Sequence, residues 1–227
     1  MVIQKRDQEI LRVCYEQQFL TTEHVIQYFF KVGQWRRAYE RISELKSGGF
    51  LRAEKNVLFD QLQILRLTSY GQRLVLSSAP IEVPQVRRLD PRTLVHDTIV
   101  TSVRLRLSDF WDGSWIPERV IKQDEYPQIP DGLFVFQSGK KVAVEVENSP
   151  KDRARFFQNM ERWRKTDVKL VLFIATTPAL VARIEGYLKE GPQGLPLALV
   201  FWDELKKRAV KVWTPSGSVD VFNRKEY

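Results

Sequence analysis

Histidine and cysteine are nearly missing from this chain. Cys14 is the single cysteine, which excludes a disulfide framework and any structural zinc site built from several thiolates; a reducing, intracellular setting is the simplest expectation. His24 and His96 are the only histidines, so most histidine-based metal and triad chemistry drops out of consideration. No apolar run approaches the length of a membrane-spanning helix, and the N-terminus MVIQKRDQEILRV, charged from Lys5 onward, lacks the apolar core of a secretion signal. The expectation is a soluble, cytoplasmic protein with no membrane partner.

Acidic residues are also short, 28 against 36 basic ones, leaving a net charge of +8 on 227 residues. Such an excess either attracts polyanions, of which nucleic acid is the commonest, or is spread over a solvated basic surface. The hydrophobic content, 43%, suffices for the core of one large domain or two modest ones.

Three helices are expected first. DQEILRVCYEQQ places Ile10, Leu11, Val13 and Cys14 on one side, with Asp7 as a natural N-cap. Thr21 or Thr22 can cap EHVIQYFF, and Glu23 suits the positive end of that helix. A third helix from Gln34 to Lys46 has Ala38, Tyr39, Ile42 and Leu45 as its inward stripe and stops at Ser47-Gly48-Gly49. Two short extended runs follow, Phe50 to Glu54 and Gln61 to Leu67, around a polar turn at Lys55 and Asn56.

This order is that of a winged helix. Arg36, Arg37 and Arg41 project opposite the third helix's apolar stripe, where a helix entering the major groove carries cationic donors for phosphates and guanine edges. A solvated face with Arg37 paired to Glu40 or Glu44 is the alternative. Lys55 in the turn and Trp35 beside the arginines join the DNA-facing set. The tryptophans otherwise read as packing residues.

The segment SSAPIEVPQVRRLDP, with three prolines and weak periodicity, reads as a linker. The expected division is a winged helix-turn-helix at 1–79, a linker at 80–91 and a second domain at 92–227. That domain should begin with a helix from Arg92 to Phe110 and then alternate: Trp115 to Lys122, Gly132 to Phe136 and Lys141 to Glu147 as strands, a helix from Asp152 to Lys165, a strand from Val168 to Ala175, a helix from Pro178 to Lys189 and a strand from Leu197 to Trp202. A mixed sheet flanked by helices follows, an α/β or α+β domain.

Within it, IPDGLFVFQSGKKVAVEVENSPK stands out. Glu145 and Glu147, two apart on a strand, share a face, and a hairpin through Ser138-Gly139 brings Asp131 beside them. Their apolar neighbours make the strand look central, where two carboxylates are costly unless they bind a cation or pair with bases. Oxygen-only ligands suit Mg²⁺ or Mn²⁺ acting on a phosphodiester. The alternative is an ion-pair network with Lys151, Arg153 or Arg155.

The succession P-D, hairpin, E-x-E resembles the PD-(D/E)xK phosphodiesterase superfamily. The whole order is similar to the replication-relaxation family of plasmid and mobile-element proteins: a winged helix ending in LTSYGQRLV, a helix with His96, a strand with Trp115 and Glu118, PDG at Pro130 to Gly132, VEVENS at Val144 to Ser149, a helix ending in ERW, and an apolar strand followed by TTP. The resemblance runs from Arg6 to about Lys207. It implies a restriction-endonuclease-like second domain, with Asp131 and Glu145 holding Mg²⁺ or Mn²⁺, Glu118 as an additional acid and His96 facing the cluster.

The lysine that assists the attacking water in that superfamily is replaced here by Glu147, and no lysine stands near Asn159. Lys141 and Lys151 are the nearest by sequence, and neither is an obvious replacement. The leading expectation is therefore a DNA-binding protein acting in replication, DNA relaxation or regulation. A metal-dependent endonuclease targeted by the winged helix is the alternative, and a transcriptional regulator with a non-catalytic second domain is the third. Expected partners are double-stranded DNA, a second copy of the chain, and other replication or mobilisation proteins.

Overall fold

A computed structural model describes residues 2–54, 63–77, 82–190, 194–207, 209–215 and 217–223. The expected turn at Lys55 and Asn56 lies outside them. The chain forms two compact units, Met1–Ser102 and Val103–Tyr227.

In the first unit, α1 (Lys5–Gln17) is followed by β1 (Leu20–Thr21), α2 (Thr22–Phe29), α3 (Trp35–Ser47), β2 (Leu51–Glu54), β3 (Ile64–Leu67) and α4 (Ser69–Leu76). The strands make a small antiparallel sheet in the order β1-β3-β2. Asp7 is not the N-cap of α1. Gln4 holds that place, and Asp7, at the third helical position, accepts the Gln4 backbone N–H at 2.7 Å in a capping box. Thr21 caps α2 by accepting the His24 N–H at 3.1 Å. Helix α3 ends where Gly49 turns the chain at φ +75°, a conformation that favours glycine. Ile10, Leu11, Val25, Ala38, Ile42, Leu45 and Leu65 are buried, each large one contributing about 2 kcal/mol of apolar burial. Tyr39, expected on the inward stripe, is 49% exposed.

The proline-rich stretch does not mark the division. Its described part is tied to the first unit: Val83 N–H donates to the Tyr15 hydroxyl at 3.0 Å, Val86 N–H to Gln18 Oε1 at 2.8 Å, and the Arg66 guanidinium to the carbonyls of Val86 and Arg87. The division falls instead within α5 (Leu94–Phe110).

The second unit continues with β4 (Gly113–Pro117), α6 (Glu118–Ile121), β5 (Gly132–Phe136), β6 (Lys141–Glu147), α7 (Arg153–Trp163), β7 (Leu170–Ala175), α8 (Pro178–Glu190), β8 (Leu197–Phe201), α9 (Trp202–Leu205), β9 (Ala209–Thr214) and β10 (Gly217–Asn223). They build a seven-stranded sheet in the order β10-β9-β8-β7-β6-β5-β4. The pairs β6-β7 and β7-β8 are parallel, joined by α7 and α8, and the outer pairs are antiparallel. The fold is thus a mixed α and β one around a mixed sheet. The expected strand over Trp115 to Lys122 ends at Pro117, whose fixed φ of −73° begins α6.

Helix α7 carries Phe156, Met160 and Trp163 at helical spacing. They pack with Leu180, Ile184 and Leu188 of α8 against Ala143, Val171, Phe173 and Leu199 of the sheet. Alternation along β6 then assigns Glu145 and Glu147 to the same sheet face as Ala143, the face that α7 and α8 cover. Among the described residues no helix is long and apolar enough to cross a membrane.

Candidate functional site

Antiparallel pairing of Gly132 with Val144 sets the register of the site. One residue further along, Asp131 lies opposite Glu145. The Asp131 backbone N–H donates to the Val144 carbonyl at 3.1 Å, and its Oδ2 accepts the Val146 N–H at 2.7 Å. A β-carbon at Gly132 would fall 1.9 Å from Trp115 Cζ2, so only glycine lets the indole close over the start of β5 beside Asp131.

Glu145 and Glu147 are 6% and 4% exposed. The three acids do not converge into a ligand trio: among the described residues no group of three or more His, Cys, Asp or Glu could hold a metal. Glu147 is taken instead by Lys151, whose Nζ donates to its Oε1 at 2.5 Å and lies 3.7 Å from Glu145 Oε2. Of the three bases expected as partners only Lys151 does this. Arg153 pairs with Glu190, and Arg155 is exposed.

Glu145 Oε1 is buried without a hydrogen-bond partner. Burial first, then the negative charge of Asp131, push the Glu145 carboxyl up to about 8, against the Lys151 ammonium, which lowers it; Glu147 adds to the rise and a hydrogen bond from Gln128 opposes it. Burial pulls the Lys151 ammonium down, and the carboxylates of Glu145, Glu147 and Asp131 outweigh it, so this lysine is held protonated above its ordinary range. Asp131 and Glu145, the latter with its buried Oε1 unpartnered, are hard oxygen donors of the kind that would hold a Mg²⁺-type ion.

Glu118 opens α6 directly after Pro117, which pairs with Gly132, and its side chain pairs with Lys122 at 2.7 Å. Lys141 pairs with Asp167 at 2.7 Å. His96 is half-buried on the part of α5 that belongs to the first unit.

The histidine that the sequence leaves unremarked is the built-in one. His24 is 3% exposed, its Nδ1 accepts the Thr21 N–H at 3.1 Å, and its Nε2 lies 3.2 Å from the Thr98 carbonyl and 2.9 Å from Ser102 Oγ. Because Nδ1 accepts, Nε2 carries the proton and donates. Burial lowers this imidazole to about 4, so it is neutral at physiological pH.

On α3 the expected arginines separate into two kinds. Arg36 and Arg37 are exposed, and neither forms an ion pair among the described residues; the Arg36 guanidinium sits 5.1 Å from the ring centre of Trp35, itself 52% exposed. Arg41 faces inward. Its Nε donates to Asp7 Oδ1 at 2.9 Å, and its other nitrogens engage Asp7 Oδ2, Glu44 and the Val2 carbonyl. With a side chain only 12% exposed and a partner at 0%, it is a structural tie between α1 and α3. Lys55 lies outside the described residues. No family model matches this chain, and no curated protein or solved structure matches it.

Proposed function

We propose that the protein binds duplex DNA, the first unit acting as a winged helix that lays α3 in the major groove and the second as a PD-(D/E)xK-like domain. The observation that carries this reading is the exposed end of α3, where Arg36, Arg37 and Trp35 stand together with no acidic partner among the described residues. Unpaired guanidiniums on the free face of a helix, in a chain of net charge +8, are placed as phosphate and guanine contacts require. The three-helix, antiparallel-strand order supports the winged-helix reading. Action in replication, DNA relaxation or regulation of a plasmid or mobile element is the process that the family resemblance supports.

Arg36→Ala/Arg37→Ala should weaken duplex binding by about 1 kcal/mol or more per lost contact and flatten the salt dependence by roughly 0.9 per phosphate released. Fluorescence anisotropy across a salt series reads both quantities. Unchanged affinity and slope would remove α3 from the interface.

A second reading, a Mg²⁺- or Mn²⁺-dependent endonuclease, is favoured by the return of Lys151 to the acids from beyond the strand, although Glu147 occupies the superfamily's lysine position. Asp131 and Glu145 would hold the ion. When bound, it supplies polarisation of the phosphoryl oxygens and a more acidic water. Lys151 Nζ, 3.7 Å from Glu145 Oε2, would stand beside that ion. Its available role is to stabilise negative charge on an oxygen.

A further inference from the structure

A second polar surface lies on α7 of the second unit. Arg155, Gln158, Asn159 and Arg162 recur at helical spacing on the side away from Phe156, Met160 and Trp163, and line a groove of about 790 Å³ together with Gln128 and Asp152. The two arginines are exposed and make no ion pair among the described residues. In this they differ from Arg153 and Arg164 on the same stretch, which pair with Glu190 and Glu161.

Asp152, the one acid among the described residues of the groove, is occupied as the N-cap of α7, accepting the Arg155 backbone N–H at 3.4 Å. Seven residues separate the guanidiniums, about 10 Å along the helix at roughly 1.5 Å per residue. One DNA strand presents a phosphate about every 3.4 Å of axis, so guanidiniums this far apart reach two different phosphates of one strand. The amides of Gln158 and Asn159 between them supply N–H donors to phosphate oxygens. Of the residues that line it, all but Ala154 are polar or charged, which suits a charged backbone better than an apolar protein partner. Asp152 in the groove directly follows Lys151, whose Nζ lies 3.7 Å from Glu145 Oε2, so the groove opens beside the acidic cluster.

We propose that this groove on α7 is a second DNA-binding surface, in which Arg155 and Arg162 hold the phosphate backbone of a duplex beside Asp131 and Glu145. It rests on the DNA-binding reading for the identity of the polyanion, and it is separate from α3.

The test titrates a labelled mixed-sequence duplex with the full chain over a salt series. The proteins are wild type, Arg155→Gln/Arg162→Gln, Arg36→Ala/Arg37→Ala, their combination, and Lys206→Gln/Lys207→Gln as a control removing the same charge from paired lysines elsewhere. The groove variant should lose about tenfold in affinity, and its salt slope should fall by about 1.8, at roughly 0.9 per phosphate contact. The loss should persist in the α3 background, be absent from the control, and be reversed by Arg155→Lys/Arg162→Lys. Both arginines are exposed, so thermal melting should show an intact fold. If the groove variant binds like wild type, or no more weakly than the control, the groove proposal is overturned while the α3 reading stands. If wild type binds no duplex, both fall.

Discussion

Replacing Arg41 with alanine should destabilise the first unit by about 3 to 5 kcal/mol, the cost of leaving one member of a buried ion pair uncompensated. Asp7 is fully buried, and its carboxylate is met by Arg41 on two edges and by the Gln4 N–H. Burial by itself would raise the Asp7 pKa. The Arg41 hydrogen bonds, the Gln4 N–H and the charges of Arg41 and Arg6 outweigh it and hold the carboxyl below its ordinary value of 3.8.

A carboxyl depressed on folding contributes stability that is full above its unfolded pKa and is lost as pH falls through the lower folded value. The gap between wild type and Arg41→Ala, measured by urea unfolding, should therefore be widest near neutrality and shrink below the ordinary value of 3.8. Asp7→Asn/Arg41→Met should recover much of the loss, because both charges leave together. An Arg41→Ala protein as stable as wild type, yet weaker on DNA, would return Arg41 to the interface.

Lys151→Met carries the other large effect. Glu147 would then be a buried carboxylate without its counter-ion, and the second unit should lose about 3 kcal/mol. A divalent cation between Asp131 and Glu145 can replace the missing ammonium, so millimolar Mn²⁺ should raise the melting temperature of Lys151→Met well beyond its effect on wild type. Asp131→Asn in the same background should abolish that rescue. A variant that is destabilised but indifferent to Mn²⁺ would leave the acids as half of an ion-pair network and nothing more.

These two residues mark how far the sequence was readable. Helices α1, α2, α3, α7 and α8 were legible within a few residues because each has an apolar stripe of period 3.6 and a capping signal. The β5-β6 hairpin was legible from Gly139 and the alternation around it. A cation on the polar face of a helix, by contrast, looks the same in sequence whether it meets phosphate or a carboxylate on another helix. Arg41 and Asp7 lie 34 residues apart, so their pairing belongs to tertiary packing. Tyr39 failed for a related reason: an aromatic at the edge of a stripe is counted inward although this one is exposed.

Lys151 is four residues beyond Glu147 across the end of a strand, and no periodicity says that its side chain turns back. The proline-rich stretch 80–91 reads as a linker because the hydrogen bonds that hold its described backbone, donated by Arg66 and accepted by Gln18, leave no local mark. Strands β9 and β10, at the sheet edge, carried no pattern that was recognised at all.

The central claim, that α3 meets duplex DNA, is tested most directly by photo-crosslinking from that helix. Trp35 is 52% exposed, so p-benzoylphenylalanine can replace it in the full chain without disturbing the core. Irradiation with a labelled duplex should yield a covalent protein–DNA adduct that fades as salt rises and is lost in the Arg36→Ala/Arg37→Ala background. Duplex binding by the labelled chain with no adduct from position 35 at low salt would contradict the account.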